Sequence, residues 1–395
     1  MNKFLIPVIS MGLAASVLVG CSGDDAASGS AVSTGYFQDS PVDGLAYSCA
    51  PSGQSGVTES GGAFNYVAGD SCTFTLGAVT LGTATAGDIV TPMELVANGT
   101  ASNATVINIV QLLTTADDDG DPSNGINIPV AVSAAAESWA GIDVSSGTFD
   151  SDIAQSVADI DAVYTSRTVT LTSNAAAQTH IETTASCVYS GMFAGDFSID
   201  VTIPVATTVN GDWGVIVFPD GTAHGLSYDS LGGTGDWTGN WNTATNSITL
   251  TGSHDSNSGT VTGTAATPNT ATGTISGTGY SGTFSGSRIG GSATAAYRFT
   301  GYFSGTDRGV FTIDIDAAGT TASGNYYSFD NVLLGNLSGT VDGSGNLSMS
   351  YSDSIGNGTV SGNVNLATGA ISGGTWLNNT TADNGSFTGS GCKLN

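Results

Sequence analysis

The densest chemistry in the chain is Asp117-Asp118-Asp119-Gly120-Asp121-Pro122-Ser123-Asn124-Gly125, which sets four carboxylates within five residues. Oxygen donors crowded into a tight loop suit Ca2+, which takes about six to eight of them. The spacing predicts a calcium loop held by Asp117, Asp119, Asp121 and Asn124, with backbone carbonyls completing the shell. Pro122 stands where such a loop usually turns on glycine, and Ile128 where it closes with glutamate, so the site would be a looser one. The bland alternative is a solvated acidic turn that ends a helix. Ala104 to Ala116 reads as that helix, with Val106, Ile109, Val110 and Leu113 on one apolar face and Asn103 or Ser102 as its cap. Carboxylates at a helix C-terminus face the wrong end of its dipole, and a cation there would compensate.

Three histidines are the only candidate bases of their type. His180 lies on a helical stretch with no ligand at metal spacing, and reads as a packing residue. His224 lies near Asp220 and Asp229, and His254 beside Asp255, so a hydrolytic dyad is open to test. No serine has glycine at both the second residue before and the second residue after it, so the nucleophile elbow is missing, as are HExxH, CxxC and the P-loop. Trp213, Tyr228, Trp237 and Trp241 concentrate aromatic surface in one region. They read either as core packing or as a ligand-binding platform for a sugar or an apolar molecule.

These residues sit in an exported chain. Lys3 precedes an apolar stretch from Phe4 to Val19 that is too short and too interrupted for a membrane span. Leu18-Val19-Gly20-Cys21 follows, and resembles the lipobox of bacterial lipoproteins. The resemblance implies removal of residues 1–20 as a signal peptide and acylation (palmitate or a similar chain) of Cys21. Two or more acyl chains anchor stably, at about 0.8 kcal/mol per buried CH₂. Ser22, rather than aspartate, after the cysteine implies outer-membrane sorting, facing the periplasm or the cell surface. Residues 21–35 are small and polar and read as a flexible tether.

With 33 acidic residues against six basic ones the net charge is −27. That field argues against nucleic acid and anionic lipid surfaces as partners. Apart from Cys21, four cysteines remain, and an exported chain favours pairing them. Cys49 with Cys72 and Cys187 with Cys392 is the preferred arrangement of the three that are available. The first pair lies in one short segment, and the second brackets the C-terminal region.

Residues 36–98 alternate large and small side chains as strands do, with Gly61-Gly62 at a turn. Gly56-Val57-Thr58-Glu59-Ser60-Gly61-Gly62-Ala63-Phe64-Asn65-Tyr66 resembles a strand pair of transthyretin-like and carboxypeptidase-regulatory-like sandwiches, and residues 42–128 resemble an N-terminal region of proteobacterial lipoproteins. A small β-sandwich is the fold so implied. Residues 99–186 shift toward alanine and read as a helical connector carrying the acidic loop, with further helices around Val130–Trp139, Asp150–Tyr164 and Asn174–Thr184.

An internal repeat about 100 residues long organises the rest. Gly235-Asp236-Trp237 echoes Gly335-Asn336-Leu337, Gly259-Thr260-Val261 echoes Gly358-Thr359-Val360, Ala271-Thr272-Gly273 echoes Ala367-Thr368-Gly369, and Gly282-Thr283-Phe284 echoes Gly385-Ser386-Phe387. Each unit, 187–290 and 291–395, reads as six to eight short strands with one large residue in two pointing inward. A meander of that size hides its edges best by closing. The fold class expected is therefore mainly β, ending in a duplicated antiparallel meander of two small barrels or curled sheets, with one larger closed sheet as the alternative. The glycine-rich strands resemble the barrel lobes of transferrin-binding protein B and, more distantly, calycins.

The functional expectation is a lipid-anchored, non-catalytic protein with a binding, adhesion or structural role toward a protein or glycan at the cell surface. A calycin-like carrier of a small apolar ligand and a secreted hydrolase are the alternatives.

Overall fold

The computed structural model describes residues 31–394 apart from 203–205, 256, 293–294 and 332. Cys21, the expected signal segment and residues 22–30 lie outside the described residues, whereas residues 32–35, read from sequence as tether, belong to the first strand and pair with Phe64–Val67. The N-terminal strands are β1 (Val32–Phe37), β2 (Val42–Asp43), β3 (Ala46–Ala50), β4 (Ser55–Val57), β5 (Ala63–Val67), β6 (Ser71–Leu76), β7 (Val79–Thr85) and β8 (Ile89–Val90). All but β2 form two sheets, β5-β1-β8 and β4-β3-β6-β7, and β2 pairs in parallel with Ile126–Asn127. The alternation puts Phe37 and Phe64 on the inner face of one sheet and Tyr47 and Phe74 on that of the other. Their rings meet edge to face, Phe64 to Phe74 at 5.1 Å and Tyr47 to Phe64 at 5.7 Å. Burying each such ring is worth roughly 1.5–3 kcal/mol. Gly61 and Gly62, at φ of 89° and 84°, carry the chain from one sheet to the other, and a Cβ on Gly62 would stand 2.4 Å from the Phe37 carbonyl oxygen.

Helix α1 (Ala104–Ala116) is followed by a 3-10 turn (Pro122–Asn124), β9 (Ile126–Asn127), α2 (Val130–Ala136), α3 (Phe149–Asp152), α4 (Ala154–Val163) and α5 (Asn174–Val188). Asn103 caps α1 by accepting from the amides of Thr105 and Val106. Ile109, Leu112 and Leu113 pack into the same core as Phe37 and Phe74, so these helices share a core with the two sheets.

The repeat folds as two closed eight-stranded barrels. The first runs β10 (Gly191–Val201), β11 (Thr207–Val217), β12 (Thr222–Asp229), β13 (Thr234–Asn242), β14 (Ser247–His254), β15 (Asn257–Thr267), β16 (Thr270–Gly277) and β17 (Tyr280–Arg288). The second runs β18 (Tyr297–Gly305), β19 (Gly309–Ile315), β20 (Thr321–Ser328), β21 (Leu333–Val341), β22 (Asn346–Ser352), β23 (Asn357–Asn365), β24 (Ala370–Asn378) and β25 (Asn384–Lys393). Three of the four echoes fall on equivalent strands, the fourth, sixth and eighth of each barrel, while Ala271-Thr272-Gly273 lies in β16 and Ala367-Thr368-Gly369 in the turn just before β24. Closure through β10·β17 and β18·β25 leaves no free edge.

Both expected disulfides form, Cys49–Cys72 across β3 and β6, and Cys187–Cys392 from the end of α5 to β25. The second closes a span of 205 residues and the first only 23. In the chain-entropy view these are worth up to about 5 and about 3 kcal/mol respectively. Replacing Cys187 and Cys392 by Ala is therefore expected to lower the urea midpoint more than replacing Cys49 and Cys72. The reverse order would show that strain or local packing dominates.

Candidate functional site

Each barrel has one end where the odd-numbered hairpins reverse. In the second barrel those four loops join β18 to β19, β20 to β21, β22 to β23 and β24 to β25, and they contribute Asp307, Asn331, Asp353 and Asp383 to one mouth. The strands that run up to this mouth deliver Phe303, Tyr326, Tyr351 and Trp376, one each from β18, β20, β22 and β24. Neighbouring rings meet edge on: Trp376 to Phe303 at 5.9 Å, Phe303 to Tyr326 at 6.2 Å, Tyr326 to Tyr351 at 5.4 Å. Below this arc the floor is apolar, with Phe311, Ile313, Leu337, Val360 and Phe387. The cavity offers about 70 Å³ to the centres of water-sized molecules.

The mouth is electrostatically one-sided. No Lys, Arg or His among the described residues lines it. Among the described residues, none of its three carboxylates forms an ion pair. Asp353 accepts from the amides of Ile355 and Gly356 and from the Tyr326 hydroxyl. Asp307 accepts from Ser328 Oγ at 2.9 Å and Asn331 Nδ2 at 3.1 Å. Asp383 accepts from Thr381 Oγ1 at 2.5 Å. Burial, followed by the charges of Asp353, Asp307 and Asp383, pushes the Tyr351 hydroxyl up to about 12. Burial and the hydrogen bond to Asp353 push Tyr326 up as well.

The first barrel closes the equivalent end with its own side chains. Trp237 Nε1 donates to Ser227 Oγ at 3.0 Å, Ser227 Oγ meets His254 Nδ1 at 3.0 Å, and His254 Nε2 meets Asp229 Oδ2 at 2.9 Å. Gly235 is small because this chain needs the space: a Cβ there would lie 2.3 Å from Ser227 Oγ. The register makes the two barrels comparable. Ser227 pairs with Gly235 and Tyr326 with Gly335, so the Tyr326–Asp353 contact stands where Ser227 and His254 meet. Trp237 corresponds to Leu337. Trp213, facing Gly195, corresponds to Phe311, facing Gly301. Trp213 and Trp237 fill the first interior, leaving about 40 Å³ lined by apolar residues apart from Ser227.

The aromatic residues singled out in the sequence are thus spread over three places. Trp213 and Trp237 line the first interior. Trp241 stacks on Tyr189 at 4.6 Å, at the end of that barrel which faces α5. The Tyr228 hydroxyl donates to the Phe329 carbonyl at 3.0 Å, joining the outer faces of the two barrels. His224 sits at that same junction, 2.8 Å from Asp236 and ring to ring with Tyr302 and Phe329. The cavity of the second barrel was not singled out from the sequence. Its signal was an aspartate or asparagine in every alternate hairpin, legible only once strand parity is known.

In the acidic loop, ligand oxygens of Asp117, Asp118 and Asp119 lie within 4.8 Å of one another. Asp121 instead accepts from Ser123, and Asn124 donates to Asp119 at 2.8 Å. Arg167 donates to the carbonyls of Thr115, Asp117 and Asp118, so a guanidinium already meets the negative end of α1. Burial pushes Asp117 up to about 6.

His180 packs α5 against the loop after β1, with Nε2 3.0 Å from the Asp39 carbonyl and 3.3 Å from its carboxylate. Asp39 is wholly buried, and burial pushes it from 3.8 up to about 6 against the opposing charge of His180. The folded chain therefore holds a proton that the unfolded chain releases, and stability falls as pH rises from about 4 to about 6. Asp39→Asn is expected to raise the Tm by a few degrees at pH 7.5 and little at pH 4, by calorimetry. An equal shift at both would refute the assignment.

No family model matches this chain, and no curated protein matches it. Solved structures that match include a protein of unknown function of the DUF3598 family from Nostoc punctiforme, 9% identical over 54% of this chain and 99% of that one, with a TM-score of 0.19. Kievitone hydratase from Nectria haematococca is 10% identical over 52% of this chain and 89% of its own, at 0.18. Transferrin binding protein B from serogroup B Neisseria meningitidis is 10% identical over 52% and 76%, at 0.17. At those scores none of these likenesses bears on activity, ligand or location.

Proposed function

We propose that this chain is a lipid-anchored, non-catalytic binding protein of the outer membrane, whose second barrel receives a small ligand through its acidic mouth. The observation that carries this is the contrast within one duplicated fold, one barrel closed at its end by its own side chains and the other holding an aromatic-walled cavity. Ligand pockets are concave, mostly apolar, and carry a few polar groups that set orientation. A protein or glycan partner on the outer faces is compatible with this role. Native mass spectrometry of protein extracted under mild conditions is expected to show a retained small molecule, and Cys21→Ala to move the protein from the detergent to the aqueous phase. A ligand-free spectrum together with no response of tryptophan fluorescence to any small molecule would end the binding reading.

A second reading follows from Ser227, His254 and Asp229, which stand in nucleophile–base–orienter order. It would make the first barrel a hydrolase acting on a small ester. Labelling by a fluorophosphonate that is lost in Ser227→Ala would support it. No labelling, with a lower Tm for Ser227→Ala, would mark these groups as a buried polar plug. Calcium at Asp117, Asp118 and Asp119 is a separate proposal, tested by a rise in Tm with added CaCl2 that Asp119→Asn removes.

A further inference from the structure

Resting on the reading that the second barrel takes a ligand, we infer that its occupant is a small organic cation: an ammonium group carried on an aromatic or short apolar body. The floor and the rim ask for different halves of such a molecule. Phe311, Ile313, Leu337, Val360 and Phe387 offer nothing to a hydrated ion but match an apolar body. The rim offers Asp307, Asp353 and Asp383 with no basic side chain among the lining residues to neutralise them. Arg308, the residue next to Asp307, turns instead to Asp330 at 3.1 Å. Between floor and rim runs the arc of Phe303, Tyr326, Tyr351 and Trp376, whose ring faces attract a cation, by about 0.5–1 kcal/mol when exposed and about 2 or more when desolvated.

A bare metal ion fits less well. Among the described residues, the groups of carboxylate and imidazole atoms close enough to share an ion are Asp229, His254, Asp255 and Asp117, Asp118, Asp119, and none belongs to this mouth. The three rim carboxylates come from separate hairpins and frame an opening. An anion would meet three carboxylates, and a neutral apolar molecule would leave them facing its buried end.

The first barrel differs from the second at this end. At the matching position it carries the His254 ring, 6.0 Å from Phe197, with one nitrogen on a serine and the other on a carboxylate. Phe197 and Phe303 are equivalent, since each faces the matching phenylalanine of the last strand, Phe284 or Phe387. In the second barrel Asp353 replaces the histidine and accepts from the Tyr326 hydroxyl, so a carboxylate stands at the edge of the aromatic arc where the first barrel carries an imidazole.

The test is titration of the full-length protein with 2-phenylethylammonium, 2-phenylethanol and 3-phenylpropanoate, by calorimetry and tryptophan fluorescence, with CaCl2 as competitor. The ammonium is expected to bind at least ten-fold more tightly than the alcohol, and the carboxylate not measurably. Asp353→Asn and Asp307→Asn should each weaken the ammonium at least five-fold and leave the alcohol unchanged. Added salt should weaken only the ammonium. Equal affinity for alcohol and ammonium would overturn the cation assignment while leaving the pocket standing. Stoichiometric displacement by calcium would overturn it in favour of a metal site. Absence of binding by all three probes, with no retained molecule in native spectra, would fell the underlying reading as well.

Discussion

Leu337→Trp is expected to abolish ligand uptake by the second barrel, weakening binding at least a hundred-fold, while both barrels stay folded. Leu337 is 5% exposed and forms part of the cavity floor. Its counterpart in the first barrel is Trp237, which the same backbone accommodates opposite Gly252. Leu337 instead faces Tyr351, so the new indole has to displace that ring or occupy the cavity. Overpacking of this kind costs about 1–3 kcal/mol. Pairing Leu337→Trp with Tyr351→Gly reproduces the tryptophan–glycine pair of the first barrel and should recover most of that loss without restoring binding. The checks are calorimetric titration with 2-phenylethylammonium and thermal melting. Unchanged affinity in a folded Leu337→Trp protein would place the ligand site elsewhere.

Arg298→Leu is expected to be the most destabilising single change in the C-terminal half, at about 3–5 kcal/mol. Arg298 is fully buried, with Nε 3.0 Å from Asp314 and its terminal nitrogens donating to the carbonyls of Val188, Ser190 and Ser292. Arg288, the last residue of β17, donates to the same Val188 and Ser190 carbonyls at 2.7 and 2.6 Å. Two of the six basic residues in the chain therefore converge on the C-terminal end of α5, where the helix dipole favours positive charge. They join that helix to the last strand of one barrel and the first strand of the next. Removing Arg298 leaves Asp314 buried without its partner, which is the costly half of breaking such a pair. Arg298→Leu with Asp314→Leu removes both charges and should recover much of the stability. Denaturation in urea checks both, and an additive double mutant would show that the two residues do not act as a pair.

Much of the local structure was legible in the residues. The apolar spacing of Val106, Ile109, Val110 and Leu113 marked the helix that forms at Ala104–Ala116, because a 3.6-residue period leaves few other solutions. Its burial is more complete than one face, since Asn108 and Gln111 are also buried and donate to the carbonyls of Val144, Ser146 and Thr172. A single-sequence periodicity cannot show partners 36 or more residues away. The aromatic cluster shows the same limit. Trp213, Trp237, Trp241 and Tyr228 alternate as strand residues should, yet alternation does not say whether the inward side is filled or hollow, or whether an outer face meets solvent or another barrel.

The residues alone carried the mainly β class, the twofold repeat, and a preference for Cys49 with Cys72 and Cys187 with Cys392 among three possible pairings. All of these follow from short-range alternation and from counting. Tertiary structure alone decided that each repeat closes on itself, that Tyr228 and His224 belong to a junction between barrels, and that the open cavity lies in the second copy. The physical reason is parity and volume. Which hairpins share an end depends on how many strands precede them, and whether a barrel is hollow depends on exchanges such as Trp237 for Leu337 that only acquire meaning when eight strands enclose one space.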